Sequence, residues 1–176
     1  MTVPAPGRVI LIHGASSAGK STLARAVQAA LPEPFTHLTF DHLIDSGALP
    51  RGPRWPAVRA QVFDGWHRAV AAFGASGADV IWDHIIEAPA WHQDLRALLA
   101  GRDLFFVGLH CGLAELERRE SARGDRTPGD AARDAAHIHA GKSYDIELRS
   151  EEGAAANATR LVAAWQARQG VSRFFA

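Results

Sequence analysis

The segment Gly14-Ala-Ser-Ser-Ala-Gly-Lys-Ser21 constrains the fold more than any other stretch of the chain. It matches G-x-x-x-x-G-K-[ST] at every fixed position, directly after the apolar run Val9–His13 and directly before the amphipathic run Lys20–Ala30. Such a loop works only when a strand delivers the chain to its first glycine and a helix leaves from its lysine. The backbone N–H groups then converge on one anion, and the positive end of the helix adds to them. The spacing therefore predicts strand, phosphate loop and helix in that order. Gly14, Ala15, Ser16, Ser17, Ala18, Gly19, Lys20, Ser21 and Thr22 are expected to cradle nucleotide phosphates. Lys20 should reach the β- and γ-phosphates, and the Ser21 hydroxyl should ligate Mg²⁺. The competing reading is a glycine-rich turn with an incidental lysine. The loop alone says that nucleotide binds, not what is done with it.

The rest of the chain continues the alternation of short apolar runs with longer amphipathic ones, the pattern of parallel strands joined by crossover helices. Strands are expected near Val9–His13, His37–Phe40, Asp79–Asp83, Leu104–His110 and Tyr144–Leu148. Helices are expected near Lys20–Ala30, Trp55–Phe73, Ala88–Ala100, Leu113–Arg123, Gly129–His139 and Gly153–Gln169. Val9-Ile-Leu-Ile12 and Leu104-Phe-Phe-Val107 are continuously apolar, as befits strands covered on both faces. The expected architecture is an α/β three-layer α/β/α sandwich around a five-stranded parallel sheet. Ser46–Pro56, with three prolines and two glycines, reads as a loop. At 176 residues, with no repeat or linker, residues 1–176 are read as one domain.

Lysine plus arginine balances aspartate plus glutamate at 19 each, so no overall positive field is present to hold a polyanion, and nucleic acid is not the expected partner. No apolar run approaches the ~20 residues of a membrane span. Met1–Gly7 lacks the marks of a signal peptide, and Cys111 is the single cysteine, so a reducing cytoplasm is the expected location. Cys111 ends an apolar strand and is read as an inert thiol. His137 and His139 are two apart, a spacing that turns their rings to different helix faces and argues against zinc. Trp55, Trp66, Trp82 and Trp91 are read as core or pocket wall, with Trp55 placed to cover an apolar acceptor.

Asp41 follows Leu38-Thr-Phe40, and Asp83 follows Val80-Ile-Trp82, so both carboxylates are expected at the C-terminal edge of the sheet, where ligands bind in open α/β folds. Asp41 is assigned as general base and Asp83 as a contact to metal or substrate. For each, the alternative is a helix cap or a structural salt bridge. Arg119, Arg123 and Arg126 sit at a helix end and in the turn beyond it. Arginines closing over a transferring phosphoryl group stabilise its charge. Arg123 and Arg126 are assigned to that role and Arg119 to nucleotide binding, within a short lid at about residues 119–129. Neighbouring Arg118 is read as a solvated charge beside Glu115.

These residues resemble the chloramphenicol phosphotransferases, P-loop kinases related in fold to shikimate and adenylate kinases. The resemblance rests on Gly14–Ser21, Leu31-Pro-Glu-Pro34, Asp41-His-Leu-Ile44, Arg119-Glu-Ser-Ala-Arg-Gly-Asp-Arg126, His139 and Tyr144-Asp145, and runs from the first strand to the fifth. It implies a nucleoside-monophosphate-kinase-like P-loop architecture and transfer of the ATP γ-phosphate to a hydroxyl on a small acceptor, the primary hydroxyl in chloramphenicol's case. Asp41 matches the family's base. The chain departs from the family between Ser46 and Trp55, and at Trp82-Asp83-His84, where the family tends to carry paired aspartates. Both departures fall where the acceptor should lie. Two other functions share this architecture: a nucleotide or nucleoside kinase, with Arg51, Arg54 and Arg59 as phosphate contacts, and a nucleotide-binding module without an acceptor.

Overall fold

The computed structural model describes residues 5–50, 52–123 and 129–176. Five strands, β1 (Val9–His13), β2 (Thr36–Thr39), β3 (Val80–His84), β4 (Leu104–His110) and β5 (Ile146–Arg149), form one sheet in the order β2-β3-β1-β4-β5. Every pairing is parallel. The helices are α1 (Lys20–Ala30), α2 (Asp41–Asp45), α3 (Trp55–Ala75), α4 (Pro89–Leu98), α5 (Leu113–Arg123), α6 (Asp130–His137) and α7 (Ala154–Ala167).

The apolar runs place the sheet between two cores, because successive side chains of a strand point to opposite faces. Ile10 and Ile12 of β1, with Ile81, Phe105 and Val107, pack against Leu23 and Val27 of α1 and Leu161 and Trp165 of α7. Val9 and Leu11, with Trp82 and Phe106, pack against Val70 of α3 and Leu95 of α4. Val9, Ile10, Leu11 and Ile12 are each 1% exposed or less, which explains why β1 shows no polar alternation. The register sets His13 beside His84 and Gly108, and Thr39 beside Asp83. Loops leaving the C-terminal ends of β1, β2 and β3 therefore converge on one edge.

Differences from the sequence expectation lie at element ends. The stretch read as a loop through Pro56 stops two residues earlier: Trp55 and Pro56 already belong to α3, where a proline in the first turn forfeits no intrahelical hydrogen bond. Asp41–Asp45 forms a short helix that the pattern did not announce. Tyr144 lies outside β5. Its ring covers Gly108 so closely that a Cβ there would sit 2.7 Å from Tyr144 Cδ2, and its hydroxyl hydrogen-bonds His139 Nδ1 at 2.7 Å. The Asp145 carboxylate accepts the Phe106 N–H at 2.7 Å, so the strand begins at Ile146.

Four histidines sit inside this framework. Burial holds His13 and His84 well below the ordinary histidine range and lowers His67 and His139 to about 4. His67 Nε2 and His84 Nε2 share one hydrogen bond at 2.9 Å, which requires at least one of them to be neutral. As pH falls below about 6.5 the unfolded chain takes up protons that the folded protein refuses, so stability must fall. The melting temperature is expected to drop by several degrees between about pH 7.5 and about pH 5. Scanning fluorimetry across that interval tests this, and a flat profile would remove the assignment of these rings as buried and neutral.

Candidate active site

The phosphate loop owes its shape to two features of the chain. At Gly14 a Cβ would lie 2.4 Å from the carbonyl oxygen of Leu109, so only glycine lets the chain leave β1 alongside β4. Ser17 (φ 62°) and Gly19 (φ 92°) are both left-handed, and the turn they make directs successive N–H groups inward. Gly19 stands at the N-cap of α1 and brings no side chain to cap it. The N–H groups of the first turn therefore face the loop's concavity, the arrangement that binds phosphate. Lys20 Nζ lies back across the loop, donating to Ala15 O at 2.7 Å, and the Ser17 hydroxyl is buried with no partner among the described residues.

Arg119, projecting from α5, closes one side of the loop. Its Nη1 donates to Ala18 O at 3.2 Å and to Ser150 Oγ at 2.8 Å, while Ser150 Oγ donates to Ala18 O at 2.7 Å. Its Nε is fixed by Glu115 at 2.7 Å. Hydrogen bonds from Arg118 and Arg119 hold the Glu115 carboxyl down at about 2. Arg118 itself is exposed and forks onto Glu115, the solvated role expected of it. Arg126 and the side chain of Arg123 lie outside the described residues, as does the centre of the expected lid.

Asp83 ends up buried beside the loop. His37 Nε2 lies 2.8 Å from its Oδ2. Burial alone would raise its pKa, but the His37 hydrogen bond, the charge of Lys20 and the Thr39 hydroxyl together prevail, and the carboxyl is held below its usual value. Asp41 is not at the end of β2 itself but two residues beyond, as the first residue of α2. A cleft of about 710 Å³ joins these groups. It is lined by Ser16, Ser17, Gly19, Lys20, Ser21 and Thr22 of the loop region, by Arg119, Ser150, Gly153 and Asn157 at one end, and by Asp41, Asp83, Trp55, Arg59 and Glu87 at the other. Ser21, Asp41 and Asp83 thus line one cavity with the loop.

The far end has an aromatic wall. Phe40 and Phe63 stack with ring centroids 4.2 Å apart, and Trp55 lies 6.5 Å from Phe40. The Arg59 guanidinium sits 4.6 Å over the Phe63 ring and pairs with Glu87 at 2.6 Å. Trp82 is fully buried in the core, and Trp91 stands behind the wall, 4.7 Å from Phe63.

Sequence reading missed His37, Ser150, Asp134 and the Arg59–Glu87 pair as parts of this site. Ser150 and Asp134 reach the loop across 132 and 118 residues of chain, and no periodicity or motif signals contacts of that range.

A parallel sheet in this order, with a phosphate loop at the end of its central strand, defines a P-loop kinase fold. Within that class, the chain belongs to the chloramphenicol phosphotransferase-like family, whose description it matches over residues 7–166. It is 32% identical over 167 residues to a protein from two strains of Mycobacterium tuberculosis named as a candidate O-phosphotransferase, covering 81% of this chain and 74% of that one. Among solved structures, it resembles the Mycobacterium tuberculosis APS kinase CysC in complex with AMPPNP and APS (TM-score 0.71, 21% identity, 93% of this chain and 99% of that one). A gluconokinase from Sinorhizobium meliloti 1021 (TM-score 0.62, 20% identity, 93% and 94% coverage) shares the fold as well. So does the Deinococcus radiodurans tunicamycin resistance protein (TM-score 0.61, 16% identity, 89% and 94% coverage). The chain is accordingly a phosphotransferase of the kinase type. No described helix is long and apolar enough to cross a membrane.

Proposed function

We propose that this protein transfers the γ-phosphate of ATP to a hydroxyl group of a small molecule, with chloramphenicol-like alcohols as the first acceptors to consider. The observation that carries this reading is the single cleft in which the phosphate loop, Asp41 and the aromatic wall face one another. Nucleotide lies along Gly14–Thr22, with Arg119 beside it, and the acceptor lies against Trp55 and Phe40.

The donor set suits Mg²⁺: the Ser21 hydroxyl and the Asp83 carboxylate are both hard oxygen ligands, and Asp83 is held anionic inside the cleft. The ion, when bound, would neutralise charge on the β- and γ-phosphates. The protein's own groups do the rest. Loop N–H groups fix the triphosphate, Lys20 exchanges Ala15 O for phosphate oxygens, and Asp41 takes the proton of the attacking hydroxyl. Arg123 and Arg126 are proposed to stabilise the transferring group from the lid.

A nucleoside monophosphate suits the acceptor end less well. Of the arginines available for its phosphate, Arg59 is tied to Glu87, Arg54 is exposed and does not line the cleft, and Arg51 lies outside the described residues. Asp41, Asp45 and Asp83 line the same end, where they would repel a second anion. Incubation with γ-labelled ATP, Mg²⁺ and a panel of aromatic primary alcohols, chloramphenicol among them, beside nucleoside monophosphates provides the test. Label on an alcohol supports the reading. Label on a nucleotide, or slow hydrolysis alone, counts against it.

A further inference from the structure

Three consecutive residues at the crest of the phosphate loop are held by the two helices that flank the expected lid. From α5, Arg119 Nη1 donates to the carbonyl oxygens of Ser17 at 3.4 Å and Ala18 at 3.2 Å. From α6, Asp134 Oδ2 accepts the Ser16 N–H at 2.9 Å. The helices are also fastened to each other: the Glu120 carboxylate of α5 accepts the N–H groups of Gly129 at 2.9 Å and Ala131 at 2.8 Å, where α6 begins. A cation thus holds the loop's carbonyls and a carboxylate holds its amide, one from each stem of the lid.

The carboxylate is the unexpected member. Asp134 is 3% exposed, and among the described residues its other oxygen meets the Arg133 guanidinium, at 3.5 Å. Burying a carboxylate is costly unless hydrogen bonds hold it, and placing it beside a site for a polyanion adds repulsion. An apolar residue would suit this core position better if packing were the whole requirement. What Asp134 provides is a fixed acceptor for Ser16, the residue just before the left-handed turn at Ser17 (φ 62°). A non-glycine residue in that region persists only when its surroundings hold it there.

We propose that Asp134 is a positioning residue for the phosphate loop, holding its crest in the binding shape before nucleotide arrives and tying it to the helix that follows the lid. Preorganisation of this kind lowers the ordering cost of binding, so it acts on nucleotide affinity. The proposal rests on the reading of Gly14–Ser21 as the nucleotide site. A merely structural Asp134 would affect melting temperature and leave affinity unchanged.

The test uses the full chain and two readouts: amide hydrogen exchange of residues 14–18 without nucleotide, and calorimetric affinity for a non-hydrolysable ATP analogue with Mg²⁺. Asp134→Ala is expected to speed exchange and weaken affinity, each by about tenfold, the loss typical of one hydrogen bond to a charged group. Asp134→Asn keeps an oxygen able to accept the Ser16 N–H and should stay within about threefold of wild type in both. Should the alanine variant fail to fold, Asp134→Glu retains the charge but moves the oxygens by one methylene, and should weaken affinity by about threefold or more with faster exchange. Folded Ala or Glu variants with wild-type exchange and affinity overturn the proposal, as does an Asn variant as impaired as Ala. If wild-type protein binds no analogue while Asp134→Ala still loosens residues 14–18, the nucleotide assignment fails and the loop-positioning role stands.

Discussion

Replacing Lys20 by alanine is expected to lower phosphoryl transfer by about 10³ or more while the protein stays folded. The sequence suggests a lysine in an open loop, but the structure places it more deeply: Lys20 is 9% exposed, with its ammonium group on the carbonyl of Ala15. That contact holds the charge inside the concavity and spares it full solvation before substrate binds. Alanine is the best helix former and Lys20 is the first residue of α1, so the helix should survive. Removal of Nζ costs the hydrogen bond to the Ala15 carbonyl, about 1 kcal/mol, and the support its charge gives to Asp83, and should lower the melting temperature by several degrees. Transfer should be nearly abolished because Arg119, the other described cation that meets the loop, is committed to the Ser17 and Ala18 carbonyls and to Glu115. Circular dichroism and a labelled-ATP assay on the same preparation separate the two effects. Folded Lys20→Ala protein that keeps more than about a tenth of wild-type transfer would remove the loop from the reaction.

How much of this site the sequence discloses depends on the range of the contacts involved. The phosphate loop is legible because its chemistry lies in eight consecutive residues, and the strand and helix that frame it carry their own apolar patterns. Asp41 and Asp83 are legible because each follows a short apolar strand, and strand ends in an α/β sheet converge on one edge. The boundary of β5 is not, since Tyr144 looks like a strand residue until one sees its ring laid over Gly108. Helix α2 escapes because five residues show too little periodicity to identify a helix. The partners of the loop escape altogether. Ser150, Asp134 and Arg119 meet it only once the chain has wound around the sheet, and of these the sequence points to Arg119 alone, as a nucleotide contact at a helix end. The aromatic wall is half visible: Trp55 can be named, but its grouping with Phe40 and Phe63 depends on tertiary packing that brings α3 beside the residue after β2.

Asp41→Asn is expected to reduce turnover by about 10²–10⁴, the range for a lost general base, with little change in affinity for ATP. The expectation follows from where the two carboxylates stand. Asp83 is 4% exposed, engaged by His37 and close enough to Lys20 to feel its charge, a setting suited to a fixed anion near phosphate and metal. Asp41 opens a short helix at the mouth of the acceptor end, next to Phe40, and its own N–H lies 3.4 Å from Thr39 Oγ1. A base must touch both the acceptor and the outgoing proton; Asp41 adjoins Phe40 of the aromatic wall, whereas the Asp83 carboxylate is already engaged by His37. Asparagine preserves the size of the side chain and its ability to accept a hydrogen bond, so the acceptor should still bind and the Michaelis constant should move little. What is lost is the capacity to carry a proton away as the oxygen attacks. Steady-state kinetics with a confirmed acceptor, together with calorimetric ATP affinity, distinguish the roles. If affinity for Mg²⁺·ATP collapses along with turnover, Asp41 organises the metal and Asp83 becomes the better candidate for proton transfer. A rate close to wild type would return Asp41 to a structural place at the start of α2.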